Sequence, residues 1–161
     1  METLIKYILP ALVSMGPIME LRAGVPLAIG TGMHPILAVL YCTLANMIPV
    51  PFIYFFARKF LEWGKDKKLI GKICWLFLDK GEKCGQKLVK KTGRGGLFVA
   101  MIFFVGIPMP GTGAWTGALA ATFLNMGFKS TVGSVCLGVL LAGCIMALGS
   151  MGVFGAIGLQ F

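Results

Sequence analysis

The chain has 161 residues, of which 57% are hydrophobic and 13% charged, with a mean hydropathy of +0.86 and a formal net charge of +9. About a quarter of the residues in a soluble domain are charged, so this composition excludes the soluble enzyme classes and predicts an all-α integral membrane protein. Twelve of the fifteen basic residues lie between Arg58 and Arg94, and this confinement to one segment argues against a nucleic-acid-binding surface.

The chain begins with two apolar stretches that are each too short to cross a hydrocarbon core of about 30 Å. Residues 3–15 end at a Gly-Pro pair, and residues 25–33 follow a predicted turn that carries Glu20 and Arg22. This pattern predicts a re-entrant helical hairpin over residues 3–33. A membrane tolerates such a hairpin only where protein or water surrounds the interrupted backbone.

The first complete crossing is predicted at residues 36–57, which are uncharged and long enough to span the bilayer. Asn46, Pro49 and Pro51 lie inside it, and the two prolines predict a kink or an unwound patch in this transmembrane helix. Hairpin and crossing together form an N-terminal repeat of residues 1–57.

A basic segment, residues 58–94, joins the two halves of the chain. Its apolar residues recur at roughly helical spacing, which predicts one or two amphipathic helices at the membrane surface, interrupted near Gly71 or over residues 81–85. An excess of Lys and Arg beside a crossing marks the cytoplasmic side. We therefore expect the basic segment to be cytoplasmic and to contact anionic lipid headgroups.

The second half, residues 95–161, repeats this order. Residues 95–127 predict a second re-entrant hairpin with a break at residues 108–117, and residues 130–149 predict a second transmembrane helix, followed by an apolar tail. One crossing per half places the second half upside down relative to the first, so the halves form an inverted repeat. Inverted repeats with broken helices near the midplane are typical of secondary transporters.

The predicted turn between the first two apolar stretches, called the first break, carries the charges of Glu20 and Arg22, which are costly inside a membrane. Each costs about 2.5–3.5 kcal/mol at a helix centre, and such residues are usually functional. A carboxylate withdrawn from water tends to hold a proton, which makes Glu20 the candidate proton carrier. Arg22 stays charged and suits an anionic group. The alternative is a structural pair, in which the two charges satisfy one another or lie in a shallow turn.

The second break is uncharged and favours anions. Glycines free its backbone to approach a ligand, and a helix predicted to begin near Ala114 points its amide donors at the turn. Hydroxyl groups and an indole that offers a stacking surface lie beside these glycines. The predicted substrate-binding or coupling residues of both halves are Glu20, Arg22, Pro26, Asn46, Pro110, Gly111, Thr112, Gly113, Trp115 and Thr116.

At these two breaks the sequence resembles the family of small multidrug export proteins. That family carries an early Glu-Leu-Arg-Gly-Ala-Ile-Pro-like stretch and a later Pro-x-Pro-Gly-Thr-Gly-Ala-Trp-Thr-Gly-Ala stretch. Here they stand at residues 20–26, with the order Ala23-Gly24, and at residues 108–118. The layout also resembles, more distantly, the DedA family, and that resemblance implies paired re-entrant hairpins that move polyprenyl-phosphate lipid carriers.

We therefore expect a transporter of the bacterial cytoplasmic (inner) membrane, with a midplane site between two hairpins and proton-coupled export of small amphipathic molecules. Two alternatives stay open: a DedA-like translocase of a polyprenyl-phosphate carrier, and a non-transporting scaffold whose basic segment docks on lipid or on a cytosolic partner. The sequence predicts no enzyme, no cofactor and no metal site. A helix bundle this small is expected to complete its packing by forming a homo-oligomer, and we expect a dimer.

Overall fold

The computed structural model of the protein describes residues 4–17, 19–64, 71–109 and 112–156. All regular secondary structure within these ranges is helical. The predicted all-α class is therefore confirmed for the described part of the chain.

The first half contains four α-helices, and the breaks between them fall at glycine and proline. A π-helical turn, Leu4–Ile8, leads into α1. The helices are α1 (Leu9–Met15), α2 (Glu20–Gly30), α3 (Pro35–Met47) and α4 (Pro49–Gly64). The interruption between α3 and α4 lies beside Pro49, where the prolines predict a kink.

The rest of the described chain adds three helices. They are α5 (Gly71–Gly106), α6 (Ala114–Phe123) and α7 (Phe128–Ala156). α5 consists of two helical parts that meet at Gly93, whose φ of +72° lies outside the helical region. The start of α6 at Ala114 confirms the predicted start, and α7 carries the helix into the apolar tail as far as Ala156.

Within the described residues, two helical stretches are long and apolar enough, by length and composition, to cross a membrane. They are Pro35–Lys59, which comprises α3 and most of α4, and Phe128–Val153 of α7. The first includes residues 36–57 and the second includes residues 130–149, where the sequence predicts crossings. Their outer faces expose large apolar side chains such as Leu44, Phe52 and Leu148, the kind of surface that fits lipid or a partner rather than water.

Two details of the helix boundaries differ from the sequence-based expectation. Glu20 and Arg22 lie in the first turn of α2 and not in the turn before it, because the helix begins directly after Met19. Of the two predicted interruptions in the basic segment, the one near Gly71 coincides with the start of α5. Residues 81–85 stay helical, and the break inside α5 lies at Gly93.

α7 packs against α2, α3, α5 and α6 and so joins the two halves. It runs antiparallel to the first long stretch: Phe55 stacks on Phe128 with ring centroids 5.0 Å apart, and Val39 lies against Gly143 further along. Apolar side chains of both halves form one core, which includes Val25, Val105 and Val139.

Small residues set the closest helix contacts. A Cβ at Gly138 of α7 would lie 2.7 Å from Cβ of Val105 and 2.9 Å from the carbonyl oxygen of Ile102, both in α5. The glycine therefore permits a helix separation that a larger residue would prevent, as is common between membrane helices. Gly24 plays the same part between α2 and α1, where it faces Ser14 and Pro10.

Candidate functional site

Glu20 combines an unfavourable backbone conformation with a buried acidic side chain. It opens α2 with a φ of +50°, a left-handed conformation that residues other than glycine seldom adopt. Its side chain is 7% exposed. Such a backbone conformation costs on the order of 1–3 kcal/mol and persists only when the surroundings fix it, which is most common at functional sites.

The groups that fix Glu20 belong to the second break. The backbone N–H of Trp115 donates to Oε1 of Glu20 at 3.2 Å. A Cβ at Gly113 would lie 2.8 Å from Oε1 and would overlap Oε2, so only glycine leaves room for the carboxylate. Gly113 is the residue before α6 and has no side chain to bind the first amides of that helix. The carboxylate of Glu20, which belongs to α2, caps α6 instead, at the positive end of its helix dipole.

Arg22 contacts the chain just before α6. Its Nη2 donates to the backbone carbonyl of Thr112 and, at 2.8 Å, to Oγ1 of the same residue. The Thr112 hydroxyl lies 3.0 Å from the carbonyl oxygens of Ile107 and Met109, to which it donates. Thr112 is thus joined to α2 through Arg22, and its hydroxyl contacts the residues that follow α5.

Trp115 links α6 to the first helix of the chain. Its indole Nε1 donates to the carbonyl oxygen of Met15 at 3.0 Å, at the end of α1, where helix carbonyls lack an intrahelical donor. The ring packs against the core. We predicted this indole as a stacking surface, whereas its polar edge contacts α1 and its ring completes the core in this structure.

A small cavity lies between the charged residues and the core. Its volume is about 10 Å³, and Glu20, Arg22 and Asn46 supply its polar atoms, while Val105 and Val139 are part of its apolar wall. A space of about 10–15 Å³ is the least that holds one water molecule. Asn46 is 1% exposed, and its Oδ1 has no hydrogen-bond partner among the described residues.

The structure brings most of the predicted site residues together. Glu20, Arg22, Asn46 and Gly113 all line the cavity, and Thr112 and Trp115 bind the two charged side chains directly.

Two predicted residues do not join this cluster, and two others cannot be placed in it. Pro26 lies inside α2 and does not line the cavity. Thr116 is turned toward its own helix, with Oγ1 3.4 Å from the carbonyl oxygen of Gly113. Pro110 and Gly111 lie outside the described residues.

Sequence reasoning missed the contribution of Met15. Its backbone carbonyl is the acceptor for Trp115, and a backbone acceptor has no signature in the residue type. The apolar wall from α5 and α7 was also not predicted, because which valines and alanines face the cavity depends on how the helices pack.

The cluster contains one group that can exchange a proton, the carboxylate of Glu20, and one that cannot, the guanidinium of Arg22. An ionised carboxylate can only accept hydrogen bonds, whereas a protonated carboxyl can also donate one; a guanidinium remains a donor throughout. Protonation of Glu20 would therefore change which hydrogen bonds join the two breaks, while Arg22 would keep its charge and its ability to donate.

Residues 20–145 match the protein family described as "Putative small multi-drug export protein". The match begins at Glu20 and includes both breaks. Nothing among the curated proteins and nothing among the solved structures matches the chain.

Proposed function

The chain belongs to the small multi-drug export protein family, and from this premise we propose that it exports small amphipathic molecules through a site between two re-entrant hairpins. The first hairpin is α1 with α2, and the second is the part of α5 after Gly93 with α6. Glu20 couples export to protons, and Arg22 with the second break binds the polar part of the substrate.

One observation carries this proposal. Both charges of the first hairpin, buried Glu20 and half-buried Arg22, bind the second hairpin: Glu20 accepts a hydrogen bond from the amide of Trp115 in the first turn of α6, and Arg22 donates to Thr112. Charged residues within a membrane are costly unless they face a polar partner or cavity, and they commonly mark substrate or ion pathways. In transporters, the substrate site is typically formed by interrupted helices whose N-termini point into it.

Helix length and direction support the re-entrant arrangement. The apolar helices Lys6–Met15 and Gly93–Gly106 are both shorter than the two long stretches, and at 1.5 Å per residue they fall short of a hydrocarbon core of about 30 Å. The two long stretches run antiparallel, as the contact of Phe55 with Phe128 indicates. An inverted repeat requires this arrangement.

The closed cavity suggests how binding and release alternate. A space of about 10 Å³ admits no drug-sized molecule, so the hairpins must separate before a substrate enters. The polar part of the substrate then replaces Thr112 as the partner of Arg22.

Protonation of Glu20 favours that separation. The protonated carboxyl loses its negative charge, which weakens its interaction with the positive end of α6. When the proton leaves, the carboxylate again accepts the hydrogen bond from Trp115 and the hairpins close.

The test is transport by the purified full chain in liposomes with an imposed pH gradient, with ethidium as an amphipathic cation and a carboxylated dye as an amphipathic anion. We expect dye flux above that of protein-free liposomes. Glu20→Gln keeps the shape of the side chain but removes proton exchange, so the flux should no longer respond to the gradient. Arg22→Ala should lower the flux at every pH.

Lys6→Gln is the matched control, because it removes a charge from the same half of the chain outside the site. It should leave the flux unchanged. Gradient-driven flux that persists at the wild-type rate in both Glu20→Gln and Arg22→Ala would refute the proposed site, and no flux of either dye by the wild-type chain would refute export of such molecules.

A further inference from the structure

A second, much larger cavity lies away from Glu20, between α5 and the turn that joins α6 to α7. Its volume is about 860 Å³. Three basic side chains reach it from two separate elements: Lys90 and Arg94 from either side of the Gly93 break, and Lys129 from the first turn of α7. No acidic residue is among the lining residues that the structure describes.

Apolar residues line the same cavity as the three cations. Leu97, Met126 and Phe128 are among them and form its apolar wall. Leu97 and Met126 belong to a small core cluster of their own, so this wall is packed from behind. A cavity with clustered cations and an adjoining apolar wall fits a molecule that is anionic at one end and apolar at the other.

The turn between α6 and α7, which supplies Met126 and leads to Phe128, is held in place by α4. The hydroxyl of Tyr54 donates to the carbonyl oxygen of Met126 at 2.7 Å. Phe128 stacks on Phe55, with ring centroids 5.0 Å apart. Asn125 adopts a φ of +53°, a conformation that asparagine tolerates better than most residues. The cavity wall therefore keeps its shape before any ligand binds.

The start of α7 adds to the attraction for an anion. Lys129 and Ser130 lie in the first turn of this helix, where the amides lack intrahelical acceptors and the dipole is positive. Cations, helix start and apolar wall thus favour the same ligand chemistry independently of one another.

We propose that this cavity is a binding site for an anionic phospholipid, in which Lys90, Arg94 and Lys129 hold the phosphate and the wall of Leu97, Met126 and Phe128 holds the start of an acyl chain. The proposal is more specific than general attraction of the basic segment to a membrane, because it names three cations out of many. It does not rest on the site at Glu20 and Arg22.

The test is native mass spectrometry of the full chain in uncharged detergent, titrated with phosphatidylglycerol or phosphatidylcholine. We expect the wild-type chain to bind phosphatidylglycerol about tenfold more tightly than phosphatidylcholine or better, since each basic residue near an anionic headgroup adds to the affinity. The variant Lys90→Gln/Arg94→Gln/Lys129→Gln should lose about tenfold or more of the affinity for phosphatidylglycerol.

The matched control is Lys59→Gln/Lys87→Gln/Lys91→Gln, which removes equal charge from exposed positions that do not line the cavity. Because these three side chains do not line the cavity, this variant should bind phosphatidylglycerol like the wild type. Circular dichroism and gel filtration check that both variants fold.

Three results would overturn the proposal. The first is equal affinity of the wild-type chain for both lipids. The second is an equal loss in both triple variants, which would mean diffuse surface attraction. The third is displacement of phosphatidylglycerol by an equal concentration of inorganic phosphate, which would mean that the apolar wall contributes nothing.

Discussion

Asn46 is a polar residue at a position where the fold alone would favour an apolar one. It is buried between the helices, and its Oδ1 has no partner among the described residues. A buried polar atom without a hydrogen bond costs about 1–3 kcal/mol. Because Asn46 faces the same cavity as Glu20 and Arg22, we infer that this cost is retained for a role in the site.

Asn46→Leu should therefore separate stability from activity. Leucine is similar in size and removes the unpaired oxygen, so we expect the free energy of unfolding to rise by up to about 1–3 kcal/mol. Dye flux in liposomes should fall, because the cavity loses one of its three polar side chains. Thermal unfolding in detergent and the flux assay measure the two effects.

Thr43→Val is the matched control for this prediction. Thr43 is also buried, and its Oγ1 has no hydrogen-bond partner among the described residues. It does not line the cavity. The variant should gain stability and keep its flux. A loss of stability in Asn46→Leu would mean that the oxygen is bonded in the working protein, and unchanged flux would exclude Asn46 from the site.

Helix packing in this protein depends on where small residues fall. The sequence predicts that α7 packs closely somewhere, because glycine recurs along it, but it does not say which glycine meets a neighbour. The structure distinguishes them: Gly138 lies against the backbone of α5, whereas Gly133 has ordinary van der Waals space around it. That difference depends on the rotation of α7 about its axis, which the sequence pattern does not determine.

Gly138→Ala and Gly133→Ala should have opposite effects on stability. The added Cβ at Gly138 would lie 2.7 Å from Val105 and force α5 and α7 apart, at a cost of about 1–3 kcal/mol. At Gly133 the nearest atom would be 3.4 Å away, so the gain in helix propensity of up to about 1 kcal/mol should dominate.

Thermal unfolding midpoints of the two purified variants, compared with the wild type in one detergent, test this pair. Equal midpoints would contradict the packing described for α5 and α7.

The break inside α5 marks a limit of prediction at the same scale. The basic segment contains glycine at residues 64, 71, 81, 85 and 93, and each is compatible with an interruption. Inside α5, only Gly93 leaves the helical region. Because nothing in the residue type distinguishes these glycines, the sequence identified the right residue type but not the position.

At the scale of the whole molecule, the two long stretches run in opposite directions. The first runs from Pro35 to Lys59 and the second begins at Phe128 beside the end of the first. We propose that the basic segment is cytoplasmic, and then the start of α7 at Lys129 faces the cytoplasm and the turn at His34 faces the opposite side.

Labelling of single cysteines tests this orientation. In a background without the native cysteines, His34→Cys and Lys129→Cys place a thiol in two exposed turns. A membrane-impermeant maleimide should label His34→Cys in spheroplasts and Lys129→Cys only in inverted membrane vesicles. Labelling of both from the same side would contradict the inverted repeat.

Much of the site was predictable because its signals are strong in the sequence. Glu20 and Arg22 are the only charges between Lys6 and Arg58, and the Pro/Gly break is equally distinct, so both could be found without coordinates. Their mutual arrangement was not predictable. The hydrogen bond from Trp115 to Glu20 spans 95 positions, and only the packing of α6 and α2 brings the two residues together.

Trp115 gives the protein an optical reporter of its own. Its indole N–H is bonded to Met15 and its backbone N–H to Glu20, so this one residue contacts the end of α1 and the start of α2. Separation of the hairpins would break both bonds and expose the ring to a more polar environment, which shifts indole fluorescence to longer wavelengths. In a variant that carries Trp63→Phe and Trp75→Phe, which replaces the other two tryptophans, the rate of opening should be readable by stopped-flow emission after a pH jump without any attached dye.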